Sequence, residues 1–208
     1  MTFPRGALLA SIYDLKPRFQ GLLRPWVEDL AARGTTANQV TLAAFALALV
    51  TGALIWLTSG YWLVLLLVPL VQFLRMALNA VDGMLAREHH QASDEGMFLN
   101  ELTDVGADAA LYLPFMAIAG LSPILVALVV ATGIIVEMAG VLAPMIGASR
   151  RYDGPFGKSD RALAFGVLAV ALAFGLSTIW ANAILTILLA LGVWTVIRRC
   201  RAALREVP

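Results

Sequence analysis

Long apolar runs separated by short polar segments fill the chain after residue 36. A membrane-spanning helix needs about 20 consecutive, mostly apolar residues. Stretches that reach or approach this length predict six transmembrane helices. They cover residues 37–57, 62–86, 97–119, 122–147, 161–177 and 178–197. The pattern therefore predicts an all-α, polytopic membrane protein with six transmembrane helices.

The segment before the first run has an amphipathic pattern instead. Pro25 is typical of the first turn of a helix, and the pair Arg33-Gly34 is typical of a helix end. Between residues 22 and 31, apolar side chains recur at helical spacing and form one stripe. We expect a short interfacial helix on the inner surface of the membrane. A helix packed only on protein is the alternative. Thr35 or Thr36 then caps the first span.

Composition supports the membrane assignment. The chain of 208 residues is 60% apolar and 14% charged, and its mean hydropathy of +0.82 exceeds that of ordinary soluble domains. We predict an N-terminal cytoplasmic or interfacial segment over residues 1–34, a transmembrane domain over 35–199 and a cytoplasmic tail over 200–208. The first segment lacks a continuous apolar core, which argues against a signal peptide. A net charge of +1 gives no reason to expect a nucleic-acid partner.

The distribution of positive charge predicts the orientation of the chain. All 15 lysines and arginines lie before the first span, near the end of the second, between the fourth and fifth, or in the tail. The positive-inside rule then places both termini and the loops at 88–95 and 148–160 in the cytoplasm. We expect an integral protein of the inner or plasma membrane. Cys200, the one cysteine, would lie in the reducing cytoplasm.

Polar side chains interrupt the apolar pattern where the second span ends and the third begins. At 1.5 Å of rise per residue, Asp82 and Asn79 lie about 7 and 12 Å inside the second span. Asn100 and Asp104 lie about 8 to 15 Å inside the third. Ionisable groups at such depth usually have partners or a function. Their oxygen atoms suit a hard cation such as Mg²⁺, Mn²⁺ or Ca²⁺.

Small residues and an arginine accompany these polar side chains. Gly83, Ala86 and Gly96 leave room for a ligand to approach the backbone, and Arg87 is suited to binding a phosphate. These residue types favour a metal and phosphate site that opens to the cytoplasm. The alternative is an acid cluster neutralised by Arg75 and Arg87, in which the small residues serve helix packing.

The spacing of these residues resembles the signature of the CDP-alcohol phosphatidyltransferases. The family pattern is D-x2-D-G-x2-A-R, eight or nine residues, and then G-x3-D-x3-D. This chain has NAVDGMLAR at 79–87, eight intervening residues, and GMFLNELTD at 96–104, which matches six of the eight fixed positions. The sequence TTANQVTL at the entry to the first span also resembles the family's Pro-Asn-x-Val-Thr, with Ala37 in place of proline.

The resemblance implies a six-span membrane enzyme whose active site faces the cytoplasm. Such an enzyme transfers a phosphatidyl or similar group from a CDP-linked lipid donor to an alcohol acceptor and releases CMP. The resemblance implies that Asp104 is the general base. It also implies one or two Mg²⁺ or Mn²⁺ ions held by Asp82, Asp104, Asn79 and Asn100. The implied CDP-binding residues are Asp82, Gly83, Ala86, Arg87 and Gly96.

Asn79 and Asn100 depart from the family pattern, which has aspartate at both positions. Four carboxylates would bring a charge of about −4 to the cations, whereas Asp82 and Asp104 bring about −2. The protein could bind one metal firmly, recruit Asp108 or Glu101 as a further ligand, or be a catalytically impaired protein that binds CDP or lipid. An ion-coupled transporter is disfavoured, because the charges cluster near one surface and no repeat is visible.

Candidates for the acceptor site lie further along the chain. Glu137, inside the fourth span, either forms an ion pair with Arg75 or contacts the alcohol. The 148–160 loop and the residue after it provide positive charge that serves membrane orientation and lipid contact, or else holds an acceptor's phosphate. The residues concerned are Arg150, Arg151, Lys158 and Arg161.

Two further patterns have less direct meaning. Gly133, Gly140 and Gly147 share a face of the fourth span with Glu137, which favours close helix packing, with a homodimer seam as the alternative. His89 and His90 are interpreted as solvated loop residues, and a role as metal ligands fits the oxygen-rich site poorly.

Overall fold

The computed structural model describes the backbone of residues 7–207 and the side chains of residues 19–207. Residues 1–6 and Pro208, which belong to the predicted terminal segments, lie outside it. The described backbone forms helices and contains no strand. The helices are α1 (Ala7–Ala32), α2 (Ala37–Leu57), α3 (Trp62–Glu88), α4 (Asp94–Tyr112), α5 (Pro123–Leu142), α6 (Lys158–Ala173) and α7 (Thr178–Glu206). Short 3₁₀ segments follow α4 and α5, at Leu113–Ala117 and Ala143–Ile146.

Helices occupy all six of the predicted spans, and four of them are long and apolar enough to cross a membrane. These four, within the described part of the chain, are Ala37–Leu57, Trp62–Glu88, Pro123–Ile146 and Thr178–Glu206. The other two differ for physical reasons. Helix α4 has 19 residues and begins with Asp94 and Glu95, and α6 has only 16 residues. The all-α class is confirmed, and the count of six spans stays a prediction.

The chain forms two compact units. The first combines the residues up to Ala44 with Leu74–Thr103, and the second combines Phe45–Phe73 with the residues from Asp104 onward. Helices α2, α3 and α4 each contribute to both units. The predicted boundaries at residues 34 and 199 remain predictions.

The core of the first unit joins α1, the start of α2 and the end of α3. Val27, Val40, Met84 and Leu85 are buried in it. Helix α1 is much longer than expected, because it starts at Ala7 and contains Pro25 in its interior. The prediction that Pro25 opens a short helix is therefore wrong. Local sequence rules favour proline near a helix start, but here the packing of flanking residues outweighs the hydrogen bond that proline cannot donate.

The apolar stripe of α1 divides between two environments. Val27 is fully buried, and Leu23 and Leu30 pack against the same core. Leu22 and Trp26 are exposed, at 73% and 70% of their surface. The division is compatible with a helix that contacts protein on one side and lipid headgroups on the other. The interfacial placement of α1 stays a prediction.

The entry to α2 is fixed by side-chain hydrogen bonds. The Thr36 hydroxyl accepts a bond from the Gln39 backbone N–H at 3.2 Å, and the Gln39 side-chain oxygen accepts one from the Thr36 N–H at 3.0 Å. This reciprocal pair is a capping box, so Thr36 is the predicted cap. Gln91 Oε1 accepts a further bond from the Ala37 N–H at 2.7 Å. The loop between α3 and α4 is thereby attached to the start of α2.

The second unit has a larger core of aliphatic and aromatic side chains. Tyr112 stacks on Phe165 with ring centroids 4.0 Å apart, and Phe115 meets the same ring edge-on at 5.4 Å. Helices α5 and α7 approach closely where Gly192 faces Thr132. A Cβ at Gly192 would lie 2.6 Å from the Thr132 methyl group, so a larger residue would force the helices apart.

The loop between α5 and α6 is held against α7. The Phe156 N–H donates to Thr195 Oγ1 at 3.1 Å, and Phe156 itself is buried. Gly154 has a φ of +106°, and a Cβ there would lie 2.5 Å from Thr195. Helix α7 continues to Glu206, so residues 200–206 of the predicted tail are helical. This extension allows α7 to reach the loop's arginines.

Candidate functional site

The end of α3 carries the first part of the motif, which lies in the first unit. Asn79 and Asp82 are one turn apart and share a helical face. Asp82 is only 6% exposed, and its Oδ2 accepts a hydrogen bond from the Thr41 hydroxyl at 2.7 Å. A buried carboxylate needs such donors to stay charged. Asp82 is thus held in a defined position on the inner side of α3.

Thr41 is a functional candidate that the sequence reasoning did not assign. It is the last threonine of TTANQVTL, the stretch that resembles the family's entry to the first span. That likeness was the available signal, but it did not indicate which side chain the hydroxyl contacts. The structure supplies the partner, Asp82.

Gly83 and Arg87 are coupled through space. A Cβ at Gly83 would lie 3.0 Å from one guanidinium nitrogen of Arg87 and 3.3 Å from the other. The Arg87 head group therefore folds back over Gly83, one turn earlier on α3. Gly83 makes room for this exposed cation. A guanidinium in that place is available to a phosphate oxygen.

Gly96 and Ala86 have packing roles within the first unit. A Cβ at Gly96 would lie 2.9 Å from Asn38 Oδ1 and 3.1 Å from the Ser93 hydroxyl. The Ser93 hydroxyl also accepts the Gly96 N–H at 3.0 Å, as a helix cap does. Ala86 packs against the core of the unit. Close packing thus explains both small residues locally, and their assignment to CDP stays a prediction.

Asp104 is the motif's last acid and belongs to the second unit. Its Oδ2 forms an ion pair with Lys158 Nζ at 2.5 Å. Both side chains are partly exposed, Lys158 to 37% and Asp104 to 23%. Lys158 is the first residue of α6. Lys158, a candidate for binding an acceptor's phosphate, therefore forms an ion pair with Asp104, the candidate general base.

A network of four charged side chains lies deeper in the second unit. Arg161 donates to Asp108 at 3.0 and 3.2 Å and to Glu137 at 3.0 Å. Arg199 lies 3.5 Å from Glu137. Both arginines are almost completely buried, at 3% and 2% exposure. The predicted partner of Glu137 was Arg75, and the partners that the structure gives it are Arg161 and Arg199. The helical period fixed the face of Glu137 but not the helices opposite it.

The remaining arginines of the loop are also engaged. Arg151 forms ion pairs with Asp153 at 2.8 Å and with Glu206 at 2.5 Å. The hydrogen bond from Arg151 holds the pKa of Asp153 below its ordinary value. The Arg150 guanidinium lies over the Tyr152 ring, 5.3 Å from its centroid. These contacts tie the loop to itself and to the end of α7.

The donor chemistry of the motif fits a hard cation, although with few charges. Among the described side chains, no three of the types His, Cys, Asp or Glu are grouped as a metal site would require. Neither His89 nor His90 joins such a group. The ligand positions of the motif instead provide two carboxylates and two amide oxygens, which are ligands for Mg²⁺ or Mn²⁺. The assignment of these four side chains to a cation stays a prediction.

Comparison with known proteins supports a family assignment. The sequence model of a family described as CDP-alcohol phosphatidyltransferase matches residues 34–196. Inner membrane protein YnbA of Escherichia coli (strain K12) is 48% identical over 195 residues, which are 93% of this chain and 96% of that protein. The crystal structure of Mycobacterium tuberculosis phosphatidylinositol phosphate synthase (PgsA1) with CDP-DAG bound is similar with a TM-score of 0.74. The similarity covers 86% of this chain and 92% of that one at 16% identity, so it concerns the fold alone.

Proposed function

This chain belongs to the CDP-alcohol phosphatidyltransferase family, and on that premise we propose that it moves a phosphatidyl or related group from a CDP-linked lipid to an alcohol. The acceptor oxygen bonds to the donor's phosphorus as the bond to CMP breaks, and CMP leaves. The observation that carries the proposal is the motif itself. Its Asp82, on α3, accepts a hydrogen bond from Thr41 of α2. Its Asp104 lies on α4, at the spacing that the family pattern has.

Donor binding is assigned to the end of α3 and the start of α4. The Arg87 guanidinium, turned back over Gly83, is suited to a charge-assisted bond with the donor's diphosphate. Gly83, Ala86 and Gly96 are the other residues proposed to line the CDP site, and Gly83 leaves the Arg87 guanidinium the room to fold back. The solved relative with CDP-DAG bound supports a lipid of this type as the donor.

A divalent cation, Mg²⁺ or Mn²⁺, is assigned to Asp82 and Asp104 with the amide oxygens of Asn79 and Asn100. When bound, it would neutralise the diphosphate and stabilise the charge on the departing CMP. The hydrogen bond from Thr41 orients the Asp82 carboxylate.

Asp104 is proposed to accept the proton of the acceptor's hydroxyl as that oxygen attacks. The carboxylate is a suitable candidate because it is partly exposed, whereas Asp82 is buried. The ion pair with Lys158 holds the Asp104 side chain in place at the start of α6. The alcohol must therefore approach from the side of Asp104 that Lys158 leaves open.

Both termini and the reaction are assigned to the cytoplasmic face of the inner membrane. The clustering of Lys and Arg supports this orientation, and the inner-membrane relative supports the location.

The test is CMP release by purified protein supplied with CDP-diacylglycerol, Mg²⁺ or Mn²⁺ and a panel of alcohols. We expect release that depends on both the metal and the alcohol. The two asparagines favour one alternative, a protein that binds CDP or lipid without turnover. Tight CDP binding with no CMP release for any alcohol would support that alternative and reject the transferase.

A further inference from the structure

Four charged side chains in the second unit neutralise one another. Arg161 contacts both Asp108 and Glu137, and Arg199 contacts Glu137. Two positive and two negative charges give the group a net charge of zero. Side-chain exposure is 15% or less for all four. Charged groups in a membrane bundle pair in this way because water is not available to solvate them.

The backbone around the network is shaped to admit both arginines. On α5, Gly133 and Gly140 flank Glu137 on one helical face. A Cβ at Gly133 would lie 2.9 Å from the Arg161 side chain, and a Cβ at Gly140 would lie 3.0 Å from Arg199. The two glycines therefore clear the space in which one carboxylate meets two guanidinium groups. Gly133 and Gly140 thus serve packing within the chain, and a homodimer seam along the stripe stays an untested alternative.

Backbone carbonyls also accept hydrogen bonds from both arginines. Arg199 donates to the carbonyl of Val136 at 2.6 Å and to that of Asp153 at 3.2 Å. Arg161 donates to the carbonyl of Phe156 at 3.3 Å. A phosphate placed here would have to take these hydrogen bonds away from their present acceptors. It would also displace a carboxylate from each arginine and leave that carboxylate buried without its cation.

The network lies next to the proposed catalytic base. Asp108 is one turn after Asp104 on α4, so the two side chains share a face about 6 Å apart along the helix axis. An alcohol whose hydroxyl reaches Asp104 would therefore lie one helical turn from a group of charges that sum to zero. Two further cations at this end of the unit also have carboxylate partners, Lys158 with Asp104 and Arg151 with Asp153 and Glu206.

We propose that the acceptor is an alcohol without a phosphate group, such as an uncharged polyol, and that Glu137 sets this preference by neutralising Arg161 and Arg199. The proposal rests on the proposed transfer reaction. Glu137 acts as a positioning and specificity-determining residue. Without its charge, the two arginines and Asp108 would carry a net charge of +1, which would attract an anionic acceptor.

The first experiment compares matched acceptors in the CMP-release assay with CDP-diacylglycerol. The pairs are glycerol with glycerol 3-phosphate and inositol with inositol 1-phosphate. One of the two pairs will support faster CMP release. Within that pair, we expect kcat/KM of the wild-type protein to be at least about tenfold higher for the neutral alcohol than for its phosphate ester. A higher kcat/KM for the phosphorylated member would overturn the proposal. Release with no acceptor at all would instead reject the proposed function.

The second experiment measures binding and does not depend on turnover. Calorimetry with glycerol 3-phosphate should show weak or no binding to the wild type, and affinity at least about tenfold higher for Glu137→Gln. Glutamine keeps the size and the hydrogen-bonding oxygen but removes the charge. Glu28→Gln, at an exposed position of α1, is the matched control and should behave as the wild type.

Asp108→Asn provides a second route to the same excess charge, should Glu137→Gln fail to fold. Tight binding of glycerol 3-phosphate to the wild type would contradict the proposal, whatever the variants do. A folded Glu137→Gln or Asp108→Asn protein with unchanged affinity would contradict the assigned role of the network. These outcomes are distinct from the absence of CMP release.

Discussion

At the scale of single residues, the motif's two carboxylates are in different situations. Asp82 is buried and accepts a hydrogen bond from Thr41, whereas Asp104 is partly exposed and paired with Lys158. A buried, oriented carboxylate suits a ligand that must stay fixed, and a more accessible one suits proton transfer to an incoming alcohol. The sequence predicted both acids from their spacing. It did not predict their partners, which come from α2 and α6.

Asp104→Asn tests the role of the proposed base. Asparagine keeps the shape but cannot accept the hydroxyl proton, so turnover should fall about 10²-fold or more, while CDP affinity stays within roughly tenfold. CMP release and calorimetry measure the two effects. Asp94→Asn, an exposed position on the same helix, is the control. Normal turnover in Asp104→Asn would remove Asp104 from the role and point to Asp108.

The asparagines at positions 79 and 100 give a prediction about metal binding. We expect the protein without nucleotide to hold at most one divalent cation firmly, because neutral amides attract a second cation weakly. The double variant Asn79→Asp, Asn100→Asp should bind Mn²⁺ about tenfold or more tightly without CDP. Metal titration of both proteins measures this. Equal affinity and stoichiometry would show that these side chains do not face the metals.

At the scale of elements, helical periodicity predicted faces but not neighbours. The face of α5 that carries Gly133, Glu137 and Gly140 was visible in the sequence, yet its partners come from α6 and α7. Contacts between distant helices depend on how the helices pack, and a local pattern contains no such information. The same limit explains Pro25. Its local preference for a helix start did not reveal the residues of α1 that precede it.

The loop between α5 and α6 should loosen in acid. Arg151 lowers the pKa of Asp153, so the folded protein binds a proton there less readily than the unfolded chain. The stabilisation is present above the unfolded pKa of about 4 and is lost as pH falls through the folded value. The midpoint temperature of thermal unfolding should therefore decrease more steeply between pH 6 and pH 3 for the wild type than for Asp153→Asn. Parallel curves would contradict a role for this pair, since Glu206 would then account for the decline alone.

At the scale of the whole molecule, hydropathy predicted the helical class and the location of the helices from α2 to α7, but not the full extent of α1. It overstated the uniformity of the spans. Helix α4 begins with two acids and contains Asp104, and α6 is short. These two helices are therefore less apolar or shorter than the four candidate spans. The family model extends over residues 34–196, a region that contains the motif and nearly all of the predicted spans.

The orientation of the chain in the membrane can be tested with its single cysteine. Cys200 is exposed near the end of α7, in a segment with Arg198, Arg199, Arg201 and Arg205. Because positive charge is retained in the cytoplasm, a membrane-impermeant maleimide should label Cys200 in inside-out vesicles and not in right-side-out ones.

The reciprocal variant makes this prediction sharp. Ser59 is exposed in the turn between α2 and α3, which the charge pattern places on the opposite side. In a Cys200→Ser background, Ser59→Cys should therefore be labelled only in right-side-out vesicles. Labelling of Cys200 from outside the cell would reverse the predicted topology and contradict the assignment of the reaction to the cytoplasmic face. The six-span arrangement places five crossings between Ser59 and Cys200. Labelling of both positions from one side would require an even number of crossings and would contradict that arrangement.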